Sequence, residues 1–166
     1  MLILGIDPGS VLTGYGVIKS DNTNGYQCLD YGCIRSSSKQ DFFERLKKIY
    51  DQVSALCLKY KPDYVALEDV FYGKNIKSTL QLGQARGSVV IAALNHNVKI
   101  KAYSPREVKQ SLTGNGSASK EQVQKMVVGL LGLTQTKIPL DASDALAIAI
   151  CHSNRFWTNE KLTSQL

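Results

Sequence analysis

Three short apolar runs separated by turn residues fill the first 34 positions, and they constrain the fold more than any other feature. Leu2-Ile3-Leu4-Gly5-Ile6 ends at Asp7-Pro8-Gly9, residues 14–18 read as a second strand, and residues 26–34 as a third. Asp21-Asn22-Thr23-Asn24-Gly25 turns between the last two. Strands joined so closely predict an antiparallel meander. The period then changes: Phe42, Phe43, Leu46, Ile49, Tyr50, Val53, Leu56, Cys57 and Tyr60 recur at helical spacing until Lys61-Pro62-Asp63. Tyr64-Val65-Ala66-Leu67 reads as a buried strand that delivers Glu68 at its C-terminal end. A helix over 76–95 and a strand over 98–103 follow.

Two capping boxes open the next helices, Ser104-Pro105-Arg106-Glu107 and Ser119-Lys120-Glu121-Gln122, with a loop at 113–117 between them. Pro139-Leu140-Asp141 starts a last helix whose 145–150 stretch is apolar nearly all round, which predicts burial against a sheet. Gly83 and Gly87 predict close packing of the 76–95 helix against a neighbour. The order β-β-β-α-β-α-β-α-α-α predicts an α/β fold: a mixed five-stranded sheet with helices on both faces. At 166 residues the chain fits one domain, expected over 1–156, with a short tail over 157–166 expected to be partly disordered.

Net charge is +6, and its distribution matters more than its size. Residues 74–125 hold nine Lys and Arg (Lys74, Lys77, Arg86, Lys99, Lys101, Arg106, Lys109, Lys120, Lys125) against Glu107 and Glu121, while the flanking regions are near neutral. So lopsided a segment predicts a phosphate-binding surface rather than a solvated helix face. The cysteines, Cys28, Cys33, Cys57 and Cys151, lack zinc-ligand or redox spacing and read as reduced thiols of a cytoplasmic protein. No apolar run approaches a bilayer span, and no basic stretch precedes the first strand as a secretory signal would require.

Four carboxylates stand out by position. Asp7 and Glu68 end strands, and Asp141 and Asp144 lie three apart at the start of the buried helix, on one face. Singly, Asp7 reads as a turn former and Asp141 and Asp144 as helix-start acids. Gathered together they repel one another, and a divalent cation relieves that repulsion. Hard Mg²⁺ suits such an oxygen set, and two ions about 4 Å apart suit phosphodiester hydrolysis.

These residues resemble one family in order along the chain. Leu4-Gly5-Ile6-Asp7-Pro8-Gly9-Ser10 with Thr13-Gly14-Tyr15-Gly16-Val17 is similar to the opening of the RuvC family of Holliday-junction resolvases. Ala66-Leu67-Glu68-Asp69-Val70-Phe71, Lys74-Asn75 and Leu82-Gly83-Gln84-Ala85-Arg86-Gly87 resemble its second block, and Val108-Lys109-Gln110, Gly114 to Lys120 and Asp141-Ala142-Ser143-Asp144-Ala145-Leu146-Ala147 the rest. The resemblance implies a ribonuclease H-like fold and a homodimer that resolves four-way DNA junctions with symmetric, Mg²⁺-dependent nicks. It further implies two Mg²⁺ per site, with Mn²⁺ as a substitute, and a branch-migration complex of the RuvA and RuvB type as partner. Carried over by position, Asp7, Glu68, Asp141 and Asp144 match catalytic metal ligands, Lys109 and Lys120 match lysines near the scissile phosphate, and Phe71 matches an aromatic set against junction bases. Arg86 and Tyr72 are further DNA-binding candidates.

Two departures from the family pattern stand out. Asp69 occupies a position where similar sequences often carry an amide, and residues 155–166 hold only Arg155 and Lys161 as basic residues where some relatives end in arginines. Two other readings remain: a non-catalytic junction-binding module of the same fold, which the complete carboxylate set disfavours, and an actin-like nucleotide-binding protein, for which one domain is too few. The Gly spacing over 114–120 does not fit a Walker A loop.

Overall fold

The computed structural model describes residues 1–21, 25–69, 75–134 and 138–163. Its elements run β1 (Leu2–Asp7), β2 (Leu12–Asp21), β3 (Gly25–Arg35), α1 (Phe42–Tyr60), β4 (Tyr64–Glu68), α2 (Ile76–Asn95), β5 (Lys99–Tyr103), α3 (Pro105–Thr113), α4 (Lys120–Leu131) and α5 (Leu140–Thr163). The strands form one sheet in the order β3-β2-β1-β4-β5. The predicted meander pairs antiparallel, whereas β4 joins β1 in parallel and β5 joins β4 in parallel. β1 is therefore central, and a strand buried on both faces reads as the continuous apolar run seen in the sequence.

Alternation along the strands sorts the core into two layers. Ile3, Ile18 and Ala66 point to one face, where they meet Val108 and Leu112 of α3, Val123 and Val127 of α4, and Leu146 and Ile150 of α5. Leu4, Ile6, Val17, Val65 and Leu67 point to the other, against Ile49 and Val53 of α1 and Ala85 and Val89 of α2.

Local chemistry sets the helix ends. Asp41 caps α1 by accepting bonds from the Phe43 and Glu44 amides, and Lys61 ends it in a left-handed conformation with φ of 48°. Both predicted capping boxes form, Ser104 with Glu107 and Ser119 with Gln122. The Ser143 amide donates to the Pro139 carbonyl, so Asp141 lies inside the first turn of α5 rather than capping it.

Two regions differ from what the sequence suggests. Residues 157–163, which read as the start of a tail, continue α5 through Thr163. Neither Gly nor Pro interrupts residues 140–163, and the Trp157 indole N–H donates to Ser20 Oγ, tying that stretch back to β2. Among the described residues none packs against Gly83 or Gly87: a Cβ at either would meet no described atom within 4 Å.

Candidate active site

Parallel pairing brings the first two carboxylates together. Ile6 pairs with Leu67, so Asp7 and Glu68, the next residue on each strand, emerge side by side on the same face at the C-terminal edge of the sheet. The turn behind Asp7 is locked by Thr13, whose buried hydroxyl donates to the Gly9 carbonyl at 2.7 Å and accepts from the Gly9 amide at 3.2 Å. On the other strand, Glu68 lies opposite Tyr103 of β5, whose hydroxyl is 2.7 Å from Nδ1 of buried His152.

The helical pair arrives over the strands through missing side chains. A Cβ at Gly14, which pairs with Asp7, would lie 1.9 Å from the Asp141 carbonyl oxygen. At Gly5 it would lie 2.0 Å from the Ala145 carbonyl oxygen, and at Gly16 it would meet the Leu146 side chain at 2.5 Å. These glycines let α5 rest on the backbone of β1 and β2. That contact suspends Asp141 and Asp144 above Asp7. Gly14 and Gly16, at alternate positions of one strand, are the sequence signal for such an approach.

Asp7, Glu68 and Asp144 line one cavity of about 320 Å³ together with Lys109, Lys120 and the apolar side chains of Val108, Val123 and Ile148. Asp141 stands on the β2 side of the group, close enough for its charge to act on Asp7. Burial first, then the charges of Glu68, Asp144 and Asp141, push the Asp7 carboxyl up to about 7, against the opposing pull of Lys120. Burial and Asp144 also raise Glu68, while Lys120 and Lys109 lower it. Neither carboxylate forms a hydrogen bond or ion pair among the described residues. Asp144 does: its Oδ2 accepts from Lys120 Nζ at 2.8 Å.

Among the described residues no group of three carboxylate, imidazole or thiol side chains stands ready to hold an ion as now arranged. The donor set nevertheless fits a hard divalent cation: four carboxylates with all-oxygen donors, two of them raised by burial and by mutual repulsion. Arg86 is held differently from Lys109 and Lys120. Its guanidinium pairs with Asp69 at 3.0 Å, and its Nε is buried without a partner among the described residues. The extra acid at position 69 is thereby neutralised. Phe71, Tyr72 and Lys74 lie outside the described residues.

The model of the family described as crossover junction endodeoxyribonuclease RuvC matches residues 3–152. The chain belongs to the RuvC family. A curated member from Chloroherpeton thalassium is 52% identical over 151 residues, covering 91% of this chain and 81% of the relative. A member from Tolumonas auensis is 51% identical over 153 residues, covering 92% and 87%. Among solved structures, Thermus thermophilus RuvC in complex with a Holliday junction substrate superposes with a TM-score of 0.91 at 34% identity, covering 96% of each chain. The yeast mitochondrial Holliday junction resolvase, 14% identical with a TM-score of 0.66 and covering 96% of this chain and 81% of its own, shares the fold. The ribonuclease H-like architecture and the nuclease class expected from the sequence are those of this family, and membership implies Mg²⁺-dependent catalysis. No helix among the described residues is long and apolar enough to cross a membrane.

Proposed function

We propose that this chain resolves four-way DNA junctions in recombination and repair by paired nicks, cut at the cavity between β1, β4 and α5. The observation that carries the reading is the convergence of Asp7, Glu68 and Asp144 with Lys109 and Lys120 in one cleft. Asp7, Glu68, Asp141 and Asp144 are the metal ligands in this reading, holding two Mg²⁺ that Mn²⁺ can replace. When bound, such a pair activates a water and stabilises the leaving oxygen of the phosphodiester. Asp7, whose pKa is raised to about 7, must release its proton as the site loads. Lys109 and Lys120 neutralise phosphate charge, and Val108, Val123 and Ile148 keep the cleft wall dry, which strengthens each electrostatic contact. Phe71, two residues past Asp69, stacks on a junction base, and Arg86 adds a backbone contact once its pairing with Asp69 is exchanged for phosphate.

The working unit in this reading is one nuclease domain per chain in a two-fold dimer, which matches the symmetry of a four-way junction. Ile76, Leu80, Gly83, Gly87, Ile91 and Leu94 fall along one stripe of α2, and its four large side chains are exposed. That stripe supports the dimer surface. A branch-migration complex of the RuvA and RuvB type is the partner the family relationship favours. Four free thiols agree with a cytoplasmic site of action.

One experiment tests the reading. A synthetic four-way junction and a linear duplex of matched sequence are incubated with the protein, with and without Mg²⁺. Symmetric nicks in the junction alone, only with Mg²⁺, are expected. Equal cutting of both substrates would replace it with a general nuclease, and binding without cutting with a non-catalytic module.

A further inference from the structure

Lys120 differs from Lys109, its neighbour in the same cleft, in already having an anion among the described residues. Its Nζ lies 2.8 Å from Asp144 Oδ2, and its side chain is nonetheless 66% exposed. It is the first residue of α4, directly after the Ser119 cap, so a flexible four-carbon stem swings from a fixed base. The head group therefore reaches Asp144 on one side and solvent on the other. A group of carboxylates that needs a cation has one built in.

We propose that Lys120 is a tethered stand-in cation, which occupies Asp144 in the free protein and is released to a DNA phosphate when the site takes up its divalent ions. The proposal rests on the metal and DNA reading above. An Asp144 oxygen bonded to an ammonium offers less negative charge to a second cation, and two cations at that range repel. A phosphate entering the cleft draws Nζ off Asp144 through a charge-assisted bond of its own. Ion binding and DNA binding are thereby coupled, and each strengthens the other by the same factor. The free protein holds its ions weakly, and the cleft becomes competent when a backbone lies across it.

Calorimetric titration with Ca²⁺, an oxygen-seeking ion, reads the coupling without any turnover. It is run on wild type, Lys120→Met and Lys120→Arg, each with and without a junction shown to be intact by gel. Without DNA, Lys120→Met is expected to bind Ca²⁺ about tenfold more tightly than wild type, and Lys120→Arg within about twofold of it. With junction bound, wild type is expected to approach Lys120→Met. Equal affinity of wild type and Lys120→Met without DNA would overturn the proposal, as would a gap that junction leaves unchanged. Should Lys120→Met fail to fold by circular dichroism, Lys120→Gln takes its place. Absence of Ca²⁺ binding by every protein, with or without junction, would instead remove the metal site itself and this proposal with it.

Discussion

On one face of the sheet α5 rests at its N-terminal half on bare backbone; on the other, α1 and α2 rest on side chains throughout. Under α5 the strands present Gly5, Gly14 and Gly16, and a single added methyl at Gly14 would stand 1.9 Å from a helix carbonyl. Under α1 and α2 they present Leu4, Ile6, Val17 and Leu67, which interdigitate with Ile49, Val53 and Val89. Side-chain packing adjusts to modest changes of shape, whereas two backbones in contact cannot. Asp141 and Asp144 ride on the unyielding contact, and Asp7 ends the strand beneath it. Accuracy at the site is thus set by side chains that are absent, while the opposite face supplies bulk stability. Catalysis and stability should therefore separate when each face is altered in turn.

The largest effect is expected at the site itself. Asp7→Asn and Glu68→Gln each remove one proposed metal ligand and leave both layers packed. Nicking of a four-way junction should fall by about a thousandfold or more, because charge stabilisation at the reacting phosphate is lost. Junction affinity, assigned to lysines in the proposed function, should stay within about threefold. Gel-shift and cleavage assays on the same preparations check both, and full cleavage by both variants would sink the ligand assignment.

Next come changes to the two packing surfaces. Gly14→Ala should cost about 3 kcal/mol, at the severe end of overpacking, and lower the melting temperature by about 6–12 °C. Its nicking rate at a temperature where it remains folded should fall much further than wild type's, because α5 must lift and carry Asp141 with it. Ile6→Val on the opposite layer should cost about 1 kcal/mol and leave nicking unchanged. Thermal melts paired with single-turnover cleavage distinguish the two, and equal loss of activity in both would erase the distinction between faces.

Acidity separates the faces again, since the raised carboxylates lie on only one of them. The unfolded chain ionises Asp7 in the ordinary carboxylate range, whereas the folded protein holds that proton until about pH 7. Between those limits the folded state binds more protons, so its stability falls as pH rises. Glu68, also raised, acts in the same direction. Melting temperature in a chelator should therefore drop from pH 5 to pH 8, and Mg²⁺ should restore it most at the alkaline end. Asp7→Asn should flatten the chelator profile and melt higher than wild type at pH 8. A flat wild-type profile would contradict the burial of Asp7.

Most of this architecture could be read in the residues. Turn chemistry at 7–9 and 61–63, capping boxes at Ser104 and Ser119, and the change from strand to helix period fixed the element order. Glu68 was legible because an acid closing an apolar strand has little reason to be there otherwise. The convergence of Asp7 with Glu68 is legible only through the family resemblance, since it depends on β4 adding beside β1 rather than at an edge, and pairing partners leave no local mark. Residues 157–163 look like a tail because they are polar and lack periodicity, yet they continue α5, and a hydrogen bond from Trp157 to Ser20 ties them to β2. Asp69 looked like an anomaly until Arg86, 17 positions away, proved to neutralise it.

The smallest effects are expected on α2, where the side-chain-packed face meets solvent. Gly83 and Gly87 sit on its outer stripe, with no described atom within 4 Å of where a Cβ would go. In a lone chain, Gly83→Ala should raise stability by about 0.5–1 kcal/mol, since alanine loses less backbone entropy on entering a helix. In a dimer that uses this stripe, the same methyl intrudes between two close helices and weakens association. The opposing terms act at different protein concentrations, because only association depends on mass action. The melting temperature of Gly83→Ala should therefore exceed wild type's in dilute solution and fall toward or below it as concentration rises. Sedimentation velocity should show a larger monomer fraction for the variant, and a larger one still for Leu80→Glu. A uniform gain at every concentration, with unchanged sedimentation, would assign the stripe to solvent and move the dimer contact off α2.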